Sequence, residues 1–196
     1  MTTDTAQIEK EWMLALRNGD KRAFRSIYDQ YYKYLVVTAF NILGDRDAAR
    51  DLAQEVFLVL WKKREVILIS SSLKPYLRRA VVNKTLNYIK ARRIDFDDPA
   101  SLPETISTSQ GADEKLQAAD LEKIIHKAIA ALPERCRIVF TLCRLEKLSH
   151  KEIAEQLGIS TKTVENQMTR ALSMLRKSLA PFVADGTFIW LLAYFL

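Results

Sequence analysis

Glycine and proline are scarce in this chain: five of each in 196 residues. An all-β fold needs many tight turns, and so few turn-formers argue against one. The same scarcity argues against a Gly-rich loop that cradles phosphates. Two cysteines are too few for a disulfide framework. Cys136 and Cys143 fall seven apart on one predicted helix, about 10 Å at ~1.5 Å rise per residue, too far to bridge, and read as reduced core thiols. The two histidines, His126 and His150, stand apart from any metal-ligand spacing, so no metal site and no cofactor is expected. Long apolar runs are also lacking. The longest candidate, Phe188 to Leu196, has nine residues, against the ~20 that span a bilayer. No transmembrane segment is expected, and the polar, acidic start from Met1 to Glu11 does not read as a signal peptide. No nucleophile–base pair stands out, so neither catalysis nor a small-molecule substrate is expected.

What is present is hydrophobic mass, 48% of residues, and an uneven charge. Residues 1–94 carry 18 basic and 10 acidic groups, a net of +8. Residues 95–112 carry no base and four acids, and residues 113–196 carry 12 bases and 10 acids. The acidic stretch holds Pro99, Ser101, Pro103, Ser107, Ser109 and Gly111 and few large apolar residues. It reads as a flexible linker between two modules. No repeat of fixed period appears.

Helical periodicity dominates both modules. Phe24, Ile27, Tyr28, Tyr31, Leu35, Ala39 and Ile42 recur at threes and fours and predict a helix over 21–43, capped by Asp20 and stopped by Gly44. Asp45 caps a second helix to about Lys63. Ser71 or Ser72 opens a third, with Pro75 in its first turn, ending near Arg93. A shorter helix is expected over 8–16. Beyond the linker the reading places helices over 114–132, from Pro133 to about Leu145, over 150–157, and from the Ser160 cap to about Leu179. No convincing period-two alternation occurs; residues 65–69 come nearest. The expected fold is all-α: two helical bundles joined by a flexible acidic linker. Their spans are 1–94, linker 95–112, 113–182, then an apolar tail, 183–196.

Three stretches carry functional signals. On the second helix Asp51, Gln54, Glu55 and Leu58 share one exposed stripe opposite the apolar one; such a patch is usually just a solvated face. On the third, Lys74 to Arg93 holds seven bases and no acid, with Tyr76, Arg79, Asn83, Asn87 and Lys90 along one face. An aromatic, two amides and two cations suit phosphates and unstacked bases, although basic solvated faces are common. In the last module, Ile153, Ala154 and Leu157, then Gly158, then Val164 and Met168 make a helix-turn-helix pattern. Ser160, Thr161, Lys162, Thr163, Glu165, Asn166 and Arg170 are left for the outer face or the cap. The front of that helix is shaped for a major groove. An ordinary helical hairpin with a capped turn has the same local pattern.

Taken together, the chain resembles bacterial RNA polymerase sigma factors of the extracytoplasmic-function (ECF) class, over roughly residues 8–182. The stretch Asp51-Leu52-Ala53-Gln54-Glu55-Val56-Phe57 with Trp61 is similar to the family's core-docking signature. Tyr76-Leu77, Asn83, Asn87-Tyr88 and Arg92-Arg93 resemble its −10-reading helix, with Tyr76 where Trp is commoner. Leu132-Pro133, Ile153-Ala154, Leu157-Gly158, Thr163-Val164 and Arg170-Ala171 resemble its −35-reading domain. Three motifs in the right order are more specific than any one. The resemblance implies a cytoplasmic transcription-initiation factor. It implies core polymerase docking at Asp51, Gln54, Glu55 and Leu58. It implies −10 contacts by Tyr76, Arg79, Asn83, Asn87, Lys90, Arg92 and Arg93, and −35 contacts by the outer face of the last helix. Its implied partners are core RNA polymerase, promoter DNA and an anti-sigma factor. The apolar tail either packs on the fold or docks an inhibitory partner. A stand-alone helix-turn-helix regulator and a helical adaptor are the competing readings.

Overall fold

The structure, a computed structural model, describes residues 2–67, 72–92 and 118–182. Eight α-helices and one 3-10 turn account for its regular structure, and the described residues contain no strand. The all-α expectation is met. The chain divides into two compact units, Met1–Tyr88 and Ile89–Leu196, so the division falls within the third predicted helix. The linker 95–112, the tail 183–196 and Arg93 lie outside the described residues.

The first unit is built on a helical hairpin. Helix α2 (Lys21–Leu43) starts where Asp20, in extended backbone, accepts a hydrogen bond from the Arg22 N–H at 2.7 Å. It stops where Gly44 takes φ +69° and donates its N–H to the Phe40 carbonyl. Only glycine enters that left-handed region without strain. The next residue, Asp45, already caps α3 (Arg46–Lys62), accepting from the N–H groups of Asp47 and Ala48 at 3.0 and 3.1 Å. Two helix ends thus need only two residues between them, and among the described residues α2 and α3 make the most extensive helix pair. Ile27, Leu35, Ala39, Ala49, Val56, Phe57 and Leu60 meet in one core with Leu73, Leu77 and Val81 of α4 (Leu73–Ala91).

Helix α1 spans Thr2–Arg17, longer than the expected 8–16. Its polar first turns show no apolar period to read, yet extending a formed helix costs little compared with nucleating one. The opening of α4 is the larger departure. The sequence reading assigned that end to a local serine cap. In the structure the Leu73 N–H donates to Glu9 Oε2 at 2.8 Å, and the Ser72 hydroxyl donates to the same oxygen at 3.1 Å. Glu9 sits on α1, and its other oxygen accepts the Tyr31 hydroxyl from α2. Only 6% of Glu9 is exposed. Burial pushes its carboxyl upward, but the bonds from Tyr31, Leu73 and Ser72 together outweigh that and hold it below the ordinary value. Burial first, then the Glu9 carboxylate, push the Tyr31 phenol well upward.

The second unit contains α5 (Ala118–Ala130), α6 (Glu134–Arg144), α7 (His150–Leu157) and α8 (Thr161–Leu179), closed by the 3-10 turn Ala180–Phe182. Helix α8 is its spine and packs against α5, α6 and α7. Ile138, Leu142, Ile153, Val164 and Ala171 are fully buried. Pro133 precedes α6 without a side-chain cap. Both cysteines are free; Cys136 is buried, as expected of a core thiol, whereas Cys143 is only half-buried. The Cys136 thiol donates to Gln167 Oε1 at 3.2 Å, and burial pushes it up.

Replacing Glu9 by Gln keeps its shape but removes the charge that three donors share. We expect a loss of about 1–3 kcal/mol in unfolding free energy near neutral pH, read by urea titration of the full chain. The wild-type carboxyl titrates lower in the folded state than in the unfolded one. Its contribution is therefore fully present above about pH 4.5 and is lost as pH falls through the folded value. The gap between wild type and Glu9→Gln should narrow on acidification. A gap that stays flat with pH would refute the role given to the charge.

Candidate partner and nucleic-acid interfaces

Helix α3 presents two faces. Ala49, Leu52, Ala53, Val56, Phe57 and Leu60 are buried, and this inward stripe leaves Asp51, Gln54, Glu55 and Leu58 exposed together. Leu58 is 50% exposed, an apolar residue amid three polar ones. The end of α3 is held by an aromatic chain. Phe24 packs edge-on to Phe57 at 6.4 Å and to Trp61 at 5.2 Å, and Tyr28 lies 4.8 Å from Phe57. The Arg64 guanidinium covers the Trp61 ring at 4.8 Å and donates to the Trp61 carbonyl at 3.0 Å. Trp61 therefore anchors the helix and borders the exposed stripe. Glu55 is not merely solvated: its Oε2 lies 2.6 Å from Lys84 Nζ of α4.

Helix α4 turns Arg79, Asn83, Asn87 and Lys90 to solvent, and Arg92 just past its end is also exposed. Leu73, Leu77, Val81, Val82, Leu86 and Ile89 are buried. Thr85 is buried too and satisfies its hydroxyl on the Val81 carbonyl at 2.8 Å. Tyr76 departs from the expected stripe. It is half-buried against the core of the first unit, and burial raises its phenol. A large ring near the start of α4 gains more from that apolar contact than from water. The loop before α4 is anchored at its exit by Ser72 and Leu73 on Glu9; residues 68–71 lie outside the described residues.

The helix-turn-helix of the second unit is built by its caps. Ser149 Oγ accepts the Glu152 N–H at 3.2 Å, and Glu152 Oε2 accepts the Ser149 N–H at 2.8 Å. The Ser149 hydroxyl and N–H hold the Glu152 carboxyl below its usual range. Gly158 then takes φ +72° and donates to the Ala154 carbonyl at 2.9 Å. Ser160 accepts the Thr163 N–H at 2.9 Å and starts α8. Of the residues assigned to the outer face or cap, Ser160, Thr161, Lys162, Glu165, Asn166 and Arg170 are exposed. Thr163 is a correction: it is 8% exposed, with its hydroxyl 2.8 Å from Ser160 Oγ. Its place in the first turn tucks it beneath the cap. Lys162 and Glu165 approach to 3.5 Å, so one positive and one negative group lie side by side on this face.

Sequence reasoning missed Glu9, the buried Gln167 and the Lys84–Glu55 pair. The pair is separated by 29 residues, which no helical period connects. Among the described residues no cluster of three or more His, Cys, Asp or Glu fits a metal ion, and no helix is long and apolar enough to cross a membrane.

Comparison with known proteins follows the same two units. The family model for sigma-70 region 2 matches residues 27–94, and that for sigma-70 region 4 matches residues 122–175. Together they cover more than half of the chain. The ECF RNA polymerase sigma factor SigW of Bacillus subtilis is 26% identical over 179 residues, covering 87% of this chain and 96% of that protein. The RNA polymerase sigma-H factor of Pseudomonas aeruginosa is 25% identical over 191 residues, covering 93% and 99%. The ECF sigma-E factor of Escherichia coli K12 is 25% identical, covering 92% and 96%. Among solved structures, CnrH in complex with the cytosolic domain of CnrY gives a TM-score of 0.46 at 20% identity, covering 90% of this chain and 99% of that chain.

The Gly158 conformation yields a stability test. An added Cβ there meets nothing within 4 Å, so a substitution is penalised by backbone strain alone. Gly158→Ala should cost the full chain about 1–2 kcal/mol by urea unfolding, and Gly158→Asn less, because Asn tolerates the left-handed region. Equal stability of all three proteins would contradict the assigned turn.

Proposed function

The chain belongs to the sigma-70 family, in its extracytoplasmic-function class; it is a promoter-recognising sigma factor, and on that premise we propose how its residues divide the work. The observation that carries the proposal is the exposed stripe Asp51, Gln54, Glu55 and Leu58 on α3, which lies inside the region 2 match. Three hydrogen-bonding side chains around one half-exposed leucine suit a basic helical surface with an apolar centre. That surface is core RNA polymerase.

Docking brings α4 to the promoter. Duplex DNA hides its bases in the stack, and extruding each costs a few kcal/mol. Arg79, Lys90 and Arg92 supply phosphate contacts, while the Asn83 and Asn87 amides offer donors and acceptors to exposed bases. Tyr76, half-buried against the core, is not a free stacking platform. Arg93 joins this set by its place in the motif. In the second unit, Ser160, Thr161, Lys162, Asn166 and Arg170 face the −35 duplex, with Thr163 acting through the cap it shares with Ser160. The nearby Lys162 and Glu165 leave this face with little net charge. Phosphate neutralisation dominates DNA affinity, so this module binds weakly alone. Two weak contacts joined through one polymerase gain by effective concentration.

The division into modules 1–94 and 113–182, with the acidic linker 95–112 threading the polymerase, belongs to the same proposal. So do a cytoplasmic site of action and an anti-sigma factor that competes for these surfaces. The protein directs an enzyme and performs no chemistry itself. In vitro transcription with purified core enzyme tests the whole reading: promoter-dependent transcripts are expected with this chain and none without it.

Two substitutions separate the roles. Asp51→Lys should weaken co-purification with core by at least about tenfold, since like charge across an interface costs several kcal/mol, with thermal unfolding unchanged. Retained binding would remove α3 from the docking site. Arg79→Ala and Asn83→Ala should reduce permanganate reactivity of the melted promoter more than they reduce closed-duplex binding. Unchanged melting would remove α4 from strand capture.

A further inference from the structure

The Lys84–Glu55 pair joins two surfaces that the proposed function treats as separate. Glu55 belongs to the α3 stripe, and Lys84 is one of the seven bases of the acid-free stretch. Their side chains remain 53% and 30% exposed, with Nζ and Oε2 2.6 Å apart. Both helices are seated on one core, so the pair is held at fixed spacing and stays open to a partner.

We propose that Lys84 is an internal competitor for the docking carboxylate, a clasp that core polymerase must open. The inference rests on the docking role of α3. A basic docking surface that reaches Glu55 meets a carboxylate already neutralised. To pair with Glu55 it must displace the Lys84 ammonium, and that competition weakens docking. Once displaced, Lys84 is free to approach the exposed side of α4, where Asn83 and Asn87 are its sequence neighbours at one and three residues. A positive charge is thereby released towards the nucleic-acid face only when the docking face is occupied. Linkage makes this reciprocal: a phosphate that draws Lys84 away frees Glu55 for polymerase by the same factor.

The size of the effect is bounded by the exposure of the pair. Exposed ion pairs shift equilibria by about two- to five-fold at low salt and less as salt rises. The test measures core polymerase affinity for four forms of the full chain: wild type, Lys84→Gln, Glu55→Gln and the double variant. Lys84→Gln should bind core about two- to five-fold more tightly than wild type at low ionic strength. In the Glu55→Gln background the same Lys84 change should have no effect, because the competitor then has nothing to hold. Equal or weaker binding by Lys84→Gln overturns the proposal. So does a gain that persists without Glu55, which would report general charge instead of the clasp. If Glu55→Gln binds core as wild type does, the docking role of Glu55 falls first and the clasp with it. Should Lys84→Gln melt lower than wild type, Lys84→Met, which keeps the apolar stem, replaces it in the same cycle.

Discussion

A buried carboxylate must find donors or lose its charge, and the first unit is organised around one that finds three. Glu9 on α1 accepts the Tyr31 hydroxyl of α2, the Ser72 hydroxyl, and the first backbone N–H of α4. Desolvation alone pushes its carboxyl upward, and removing any partner would leave a buried group short of a bond. The same bonds satisfy the first backbone N–H of α4 from a residue outside the helix. The helix read as strand-capturing is thereby positioned by a residue more than sixty positions earlier. The anchored exit of the preceding loop is a consequence of that one contact.

The second unit is organised differently. Its helix-turn-helix is set by neighbours in sequence: the reciprocal Ser149–Glu152 cap, the left-handed Gly158, and the Ser160–Thr163 cap. Each is closed within four residues, and α6 then packs against both α7 and α8. This contrast bears on function. The module read as gripping intact duplex carries its caps and its turn locally. The module read as opening DNA is held by long-range bonds, which is also where one surface can be made to sense another.

Much of this was legible from the chain. Helices α2, α3, α7 and α8 and their caps at Asp20, Asp45, Ser149 and Ser160 follow from side chains that bond the next few backbone groups. The exposed stripe of α3 follows from the 3.6-residue period. The misreadings share one cause. Thr163 has the polarity of a surface residue, yet its hydroxyl lies against the Ser160 cap. Tyr76 has the spacing of the polar stripe, yet its ring is drawn to the core. In both, periodicity gave the direction of the side chain only to within a quarter turn, and packing decided the rest.

By itself the sequence determined the all-helical class, the caps of α2, α3, α7 and α8, the order of three motifs and hence the family, because each is written in contacts between near neighbours. Tertiary structure alone decided which carboxylate caps α4, which polar side chains are consumed internally, and that the docking stripe and the basic helix share an ion pair. The bonds of Glu9 and Lys84 join groups 22 to 64 residues apart. No local period records such distances, and only the packed core brings the partners within bonding range.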